Sequence, residues 1–157
     1  MRLWIAAVVL ALVSTGCTDQ GQPKTDRLPD LVLPGLRSTD ESVHLAELTG
    51  PLLINVWASY CEPCRTEMPL LAEFARAHPE IKVLGIDYTD PDRAKARRLA
   101  KQSKVGYPLV VDDEGALPVR FLPQWLVVDA QGVVVERKYV AITSTAELEA
   151  LVKEHLS

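Results

Sequence analysis

Short, mostly apolar runs alternate with segments of helical periodicity through most of this chain. The first run, Leu52–Trp57, carries no charge, as is typical of a strand buried on both faces. Helical spacing follows from Pro63 to about His78, and a second apolar run covers residues 81–86. Strand, helix and strand in this order predict a βαβ unit, in which the two strands are parallel.

The same alternation continues to the C-terminus and extends upstream. A helix is predicted from Pro91 to Lys104, with the proline in its first turn, and a last helix from about Thr145 to His155. Residues 109–111, 125–128 and 133–135 are predicted as three further strands, and residues 31–33 and 43–45 as a short hairpin. This order predicts an α/β fold over residues 31–157, with a central mixed β-sheet flanked by helices and an N-terminal β-hairpin extension.

The first 30 residues have a different character. An arginine precedes an apolar run over residues 3–13, and small residues lead to Cys17, which is the layout of a secretory signal and too short for a stable spanning helix. The junction resembles a bacterial lipoprotein processing site, which predicts a signal over residues 1–16 and lipidation of Cys17. The alternative is an ordinary cleaved signal that leaves a free thiol. The polar residues that follow make 17–30 a lipidated cysteine and flexible tether.

The composition is that of one acidic globular domain. The chain has 157 residues, is 48% hydrophobic and carries a formal net charge of −4, so no nucleic-acid partner is expected. Of the three cysteines, Cys17 belongs to the export segment, which leaves Cys61 and Cys64 as an even pair. Two cysteines do not complete a zinc site, and Arg65 stands where a covalent haem motif requires histidine. No metal or cofactor is therefore expected.

Cys61 and Cys64 stand where the first buried strand gives way to a helix. A disulfide across this spacing closes a very small ring and gains little from loop entropy, which favours working redox chemistry over a structural staple. Cys61 is expected just before the first helical turn, where the N-terminus stabilises an attacking thiolate, and Cys64 as the shielded resolving thiol. Pro63 is tolerated in the first turn. The carboxylate of Glu62 disfavours the thiolate and should make the pair less oxidising.

Residues around the pair carry a family resemblance. They are Asn55-Val-Trp-Ala58 before it, Glu67-Met-Pro69 after it, and Pro123 followed by Asp129 and Gly132. On these residues the chain resembles the thioredoxin superfamily, and within it the membrane-tethered TlpA/ResA-like thiol-disulfide oxidoreductases, over most of the mature chain. The resemblance implies a thioredoxin fold, and a cis-proline at Pro123 that presents the backbone of Leu122 to an extended substrate.

The acid that serves the resolving cysteine is expected at Glu67. In thioredoxin a buried acid on the preceding strand helps to move that proton, but the matching residue here, Asn55, cannot act as a base. Glu67 follows Cys64 by three residues, so both lie on one helix face, and the resemblance places an active-site glutamate there. The alternative is a solvated glutamate that is favoured only by the helix dipole.

Aromatic residues are expected near the substrate. Tyr60 and Trp57 are candidates to line a substrate groove, with core packing the alternative, especially for Trp57. Gln124 and Trp125 replace the small threonines usual in the family, which predicts a bulky side chain beside the site.

The resemblance implies a reductive role on the extracytoplasmic face of a bacterial membrane, with the protein anchored by lipid. Electrons would come from a membrane thiol donor of the CcdA/DsbD type, and apocytochrome c would be the substrate whose disulfide is reduced. A disulfide-forming oxidant and a general thiol reductase for exported proteins are alternatives. A copper(I) metallochaperone is a further one, although its cysteines usually lie three residues apart with a histidine downstream.

Overall fold

The computed structural model describes residues 26–156. Its elements, in chain order, are β1 (Val32–Leu33), β2 (Val43–His44), a 3-10 turn (Leu45–Glu47), β3 (Leu52–Trp57), α1 (Glu62–Ala77), β4 (Lys82–Tyr88), α2 (Arg93–Gln102), β5 (Leu109–Asp112), β6 (Gln124–Val128), β7 (Val134–Lys138) and α3 (Thr145–Leu156). Each helix and strand predicted from the sequence is present, with bounds that differ by no more than three residues.

The central sheet has five strands in the order β5-β4-β3-β6-β7. Strand β3 pairs in parallel with β4, and β4 with β5, whereas β6 and β7 are antiparallel to their neighbours. Strands β1 and β2 form a separate antiparallel hairpin. The predicted mixed sheet with an N-terminal hairpin extension is confirmed.

A core layer covers each face of the sheet, and the large side chains of the central strands point into one layer or the other. Leu53, Trp57 and Trp125 face α1 and α3 in one core layer, together with Phe74 and Leu148. The opposite layer contains residues of the hairpin, the 3-10 turn and the chain before β1. Because each layer excludes water, the side chains on both faces of β3 and β6 are buried and mostly apolar, so the hydrophobic pattern alone does not distinguish the two faces.

Trp57 and Trp125 both lie in the core. This bears out the core-packing alternative for Trp57 over the groove-lining role, and it corrects the expectation that Trp125 lies beside the site. Trp57 is fully buried in the α1 layer and does not line a substrate groove. Trp125 is equally buried in that layer, so its bulk lies in the core and not beside the substrate. Alternation along a strand explains both results, since each side chain points to the helix-covered face of the sheet.

The chain just before the hairpin is attached to the far edge of the sheet. Val134 donates its backbone N–H to the carbonyl oxygen of Asp26 at 2.6 Å, and Arg27 forms a bridge to Val133. Leu28 is buried in the core layer that contains the hairpin. The folded domain therefore includes residues 26–30, which were expected to belong to the flexible tether. The predicted signal and Cys17 lie outside the described residues.

Candidate redox site

Cys61 and Cys64 are joined by a disulfide at the start of α1, with their Cα atoms 5.3 Å apart. Cys61 is the N-cap residue, and its sulfur accepts the backbone N–H of Cys64 at 3.3 Å. The same N–H and the positive end of the helix would stabilise a Cys61 thiolate once the disulfide is reduced. Cys61 is 8% exposed and Cys64 is fully buried, so an external reactant meets Cys61 first.

The two residues between the cysteines occupy the first turn of α1. Pro63 costs the helix no hydrogen bond there, because N–H groups of the first turn have no helical partner. Glu62 is exposed, and its carboxylate lies next to the attacking sulfur in sequence. Its negative charge opposes formation of the thiolate, although water screens the interaction.

Glu67 lies one turn beyond Cys64 and is only 1% exposed. Its Oε2 accepts the backbone N–H of Ile142 at 2.9 Å, and its Oε1 accepts the side-chain amide of Asn55 at 3.4 Å. Burial raises the pKa of Glu67 to about 7, against the lowering effect of these two hydrogen bonds. The solvated alternative for Glu67 is therefore wrong. A carboxyl group with such a pKa can both accept and release a proton near neutral pH.

The peptide bond between Leu122 and Pro123 is cis, as the family resemblance implied. A groove of about 400 Å³ lies beside it and is lined by Tyr60, Cys61 and Leu122, among others. Tyr60 is 53% exposed at the edge of this groove. The structure thus brings Tyr60 and Leu122 together around Cys61, whereas Trp57 is buried in the core.

Sequence reasoning missed a pair of buried aspartates next to residues 58–60, the redox loop that leads from β3 into Cys61. The carboxylate of Asp90 accepts the backbone N–H of Ser59 at 2.5 Å and that of Asp92 at 3.0 Å, so it holds the segment that leads into Cys61. Asp87 is fully buried at the end of β4, and burial, reinforced by the charge of Asp90, raises its pKa to about 8. Acidic residues that directly follow a buried strand were the available signal.

Within residues 26–156 there is no group of three or more histidine, cysteine and acidic side chains that could hold a metal ion. In the same part of the chain, no helix is long and apolar enough to cross a membrane.

The sheet, the cysteine pair at a helix N-terminus and the cis-proline define the class of thioredoxin-fold redox proteins. The same fold occurs in the solved structure of a secreted Mycobacterium tuberculosis disulfide oxidoreductase homologous to E. coli DsbE, with a TM-score of 0.71 and 20% sequence identity. That similarity covers 80% of this chain and 96% of the other. The chain belongs to the AhpC/TSA family, whose sequence profile matches residues 25–137.

Within this family the chain is a member of the TlpA/ResA-like thiol-disulfide oxidoreductases. It is 31% identical over 113 residues to the thiol:disulfide interchange protein DsbE homolog of Paracoccus denitrificans. The matched region covers 69% of this chain and 60% of that relative. It is 26% identical over 152 residues to the thiol-disulfide oxidoreductase ResA of Halalkalibacterium halodurans. The matched region covers 86% of this chain and 85% of that relative.

Proposed function

We propose that the protein is an extracytoplasmic thiol-disulfide oxidoreductase that uses Cys61 and Cys64 to reduce disulfides in exported proteins, with apocytochrome c as the substrate during cytochrome c maturation. The observation that carries the proposal is the unequal exposure of the two cysteines at the N-terminus of α1. The names of the DsbE and ResA relatives support the same reaction class.

Two exchange steps account for the reaction. The Cys61 thiolate attacks one sulfur of the substrate disulfide, forms a mixed disulfide and releases one substrate thiolate. The Cys64 thiolate then attacks the sulfur of Cys61, which releases the second substrate thiolate and leaves the Cys61–Cys64 disulfide. Two electrons have passed from the protein to its substrate, and a membrane thiol donor of the CcdA/DsbD type returns them.

Glu67 is proposed to manage the proton of Cys64. The resolving step needs a Cys64 thiolate, and a buried thiol ionises poorly without a nearby proton acceptor. Glu67 lies on the same face of α1, one turn further on, and a carboxylate with a pKa of about 7 takes up this proton near neutral pH. Re-reduction of the disulfide returns the proton to Cys64.

Lipidation of Cys17 is proposed to hold the domain on the outer face of a bacterial membrane. The apolar run and the small residues before Cys17 support it. Radiolabelled palmitate should enter the full chain when it is expressed in a bacterium, and a Cys17→Ser variant should remain unlabelled.

The decisive measurement is the reduction potential of the Cys61/Cys64 pair, obtained by equilibration of the full chain carrying Cys17→Ser with a thiol buffer. We expect a potential near or below about −250 mV, close to that of thioredoxin, because a reductant must transfer electrons to its substrate. A value near about −120 mV, that of a strong periplasmic oxidant, would overturn the reductive assignment and favour disulfide formation.

Trapping experiments test the order of attack. Cys61→Ala should abolish insulin reduction, and Cys64→Ala should accumulate mixed disulfides between Cys61 and substrate proteins, because the resolving sulfur is absent. If Cys64→Ala trapped no protein, exchange through Cys61 would be ruled out.

A further inference from the structure

The groove beside Cys61 has walls from three parts of the chain. Tyr60 belongs to the loop before α1, Tyr88 ends β4, and Arg120 and Phe121 belong to the irregular connection between β5 and β6. The cavity measures about 400 Å³, which is enough for one or two side chains next to a reacting sulfur.

Phe121 is the most exposed of the large apolar side chains in residues 26–156, with 71% of its surface open to water. Tyr60 adds a second exposed ring on another wall of the groove. Exposed aromatic residues that meet at a concave surface are typical of contact sites for partner proteins, since a partner removes their apolar area from water. The two rings therefore favour an apolar side chain close to the substrate cysteine.

Tyr60, Arg120 and Phe121 form the rim of the groove, and Arg120 gives this mainly apolar rim a positive charge. It is exposed, and its guanidinium makes no hydrogen bond or ion pair with another described residue. A guanidinium offers a planar set of donors that suits a carboxylate, often through two hydrogen bonds. Its position in the lining of the groove places this unmatched positive charge where substrate residues next to the cysteine would lie.

We infer that Arg120 and Phe121 select polypeptide substrates in which the reactive cysteine is flanked by a large apolar residue and an acidic residue. The inference rests on the proposed function, because selection is expressed only through attack by Cys61. It adds no new chemical step: the Cys61 thiolate forms a disulfide with the substrate cysteine, and the other sulfur of the substrate disulfide leaves as a thiolate.

Activated peptides test the inference. The full chain carrying Cys17→Ser and Cys64→Ser has Cys61 as its single thiol, and it is mixed with short peptides whose one cysteine is linked to 2-thiopyridine. Attack by Cys61 on the peptide sulfur releases pyridine-2-thione, which is followed by its absorbance. Four peptides place leucine or glycine on one side of the cysteine, and glutamate or lysine on the other.

We expect the leucine and glutamate peptide to react about five to ten times faster than the leucine and lysine peptide at low ionic strength. Added salt should reduce this ratio because ions screen the charge of Arg120. Arg120→Glu should reverse the preference. Arg97→Glu, which makes the same charge change on the exposed face of α2, should preserve it.

The apolar half of the rim is tested with Phe121→Ala. We expect the preference for leucine over glycine to fall to near unity, while Val135→Ala, at an exposed position on β7, should retain it. Equal rates for all four peptides with the unmodified rim would overturn the inference and leave the proposed function intact. Failure of Cys61 to react with 2,2'-dithiodipyridine itself would overturn both.

Discussion

Three residues in two turns of α1 have clearly different surroundings. Cys61 is partly open at the helix N-terminus, Cys64 is sealed, and Glu67 is buried with one backbone and one amide donor. In the proposed mechanism, attack, resolution and proton transfer belong to these three separate side chains. The proposed order of the two exchange steps rests on this difference in access, since Cys61 is 8% exposed and Cys64 is fully buried.

Glu62 offers a single-residue test of how charge sets the reduction potential. Glu62→Gln removes a negative charge next to the Cys61 thiolate and so stabilises the reduced form. We expect the potential to rise by on the order of 10 mV, a small change because Glu62 is exposed and screened. Glu73→Gln, an exposed position later in α1, should leave the potential unchanged. A fall in potential on Glu62→Gln would contradict this role.

At the scale of elements, the redox loop depends on the connection between β4 and α2. Asp90 belongs to that connection, yet its carboxylate holds the backbone of Ser59 ahead of Cys61. Next to it, Asp92 caps α2 by accepting the backbone N–H of Lys95 at 2.8 Å. The connection therefore organises both the start of its own helix and the approach to α1.

Asp90→Ala is expected to loosen the redox loop. The change removes the acceptor for two backbone N–H groups, which should lower the free energy of unfolding by about 2 kcal/mol, as measured by urea denaturation. Amide hydrogen exchange at Ser59 should become faster. Asp113→Ala, which breaks an exposed ion pair with Arg93, is the control and should cost less than about 1 kcal/mol. Equal losses in the two variants would exclude a special role for Asp90.

Element bounds were predictable wherever local chemistry sets them. The helix predicted from Pro91 begins two residues later, at Arg93, because Asp92 serves as its N-cap. The strands were predicted from short, mostly apolar runs. The burial of Glu67 was less accessible from sequence, since its partner Ile142 lies 75 residues further along the chain. Only the folded connection between β7 and α3 brings that N–H to the carboxylate.

At the scale of the whole molecule, the two covered faces of the sheet explain what sequence reasoning got wrong. Trp125 was expected beside the site, and Trp57 either in the substrate groove or in the core, because both are close in sequence to site residues. Strand alternation sends both into the α1 layer.

The free energy of unfolding should depend on pH through the titration of Glu67. Its folded pKa of about 7 lies above the ordinary value of 4.5, so the folded state binds the proton more tightly. The resulting stabilisation is complete below pH 4.5 and is lost as pH rises through 7, a change of about 3 kcal/mol. Asp87, with a folded pKa of about 8, acts in the same direction up to higher pH.

The variant Glu67→Gln separates the contribution of Glu67 to the pH dependence of stability from that of Asp87. We expect the free energy of unfolding of the oxidised variant, measured in urea across pH 4 to 8, to decline less steeply than that of the unaltered protein. The difference between the two curves should change mainly between pH 4.5 and 7. Glu73→Gln is the control and should follow the unaltered protein. Parallel curves for Glu67→Gln would show that Glu67 does not titrate in this range.

The attachment of Asp26 and Arg27 to the edge of the sheet has a mechanical consequence. A pull applied from the N-terminal side enters the domain at β7, where the chain is held to Val133 and Val134. The load is borne by those edge hydrogen bonds and by the ion pair between Asp26 and Arg137, well before it reaches β3 or α1. A force on the chain before the domain is therefore resisted by these contacts before it reaches Cys61 and Cys64.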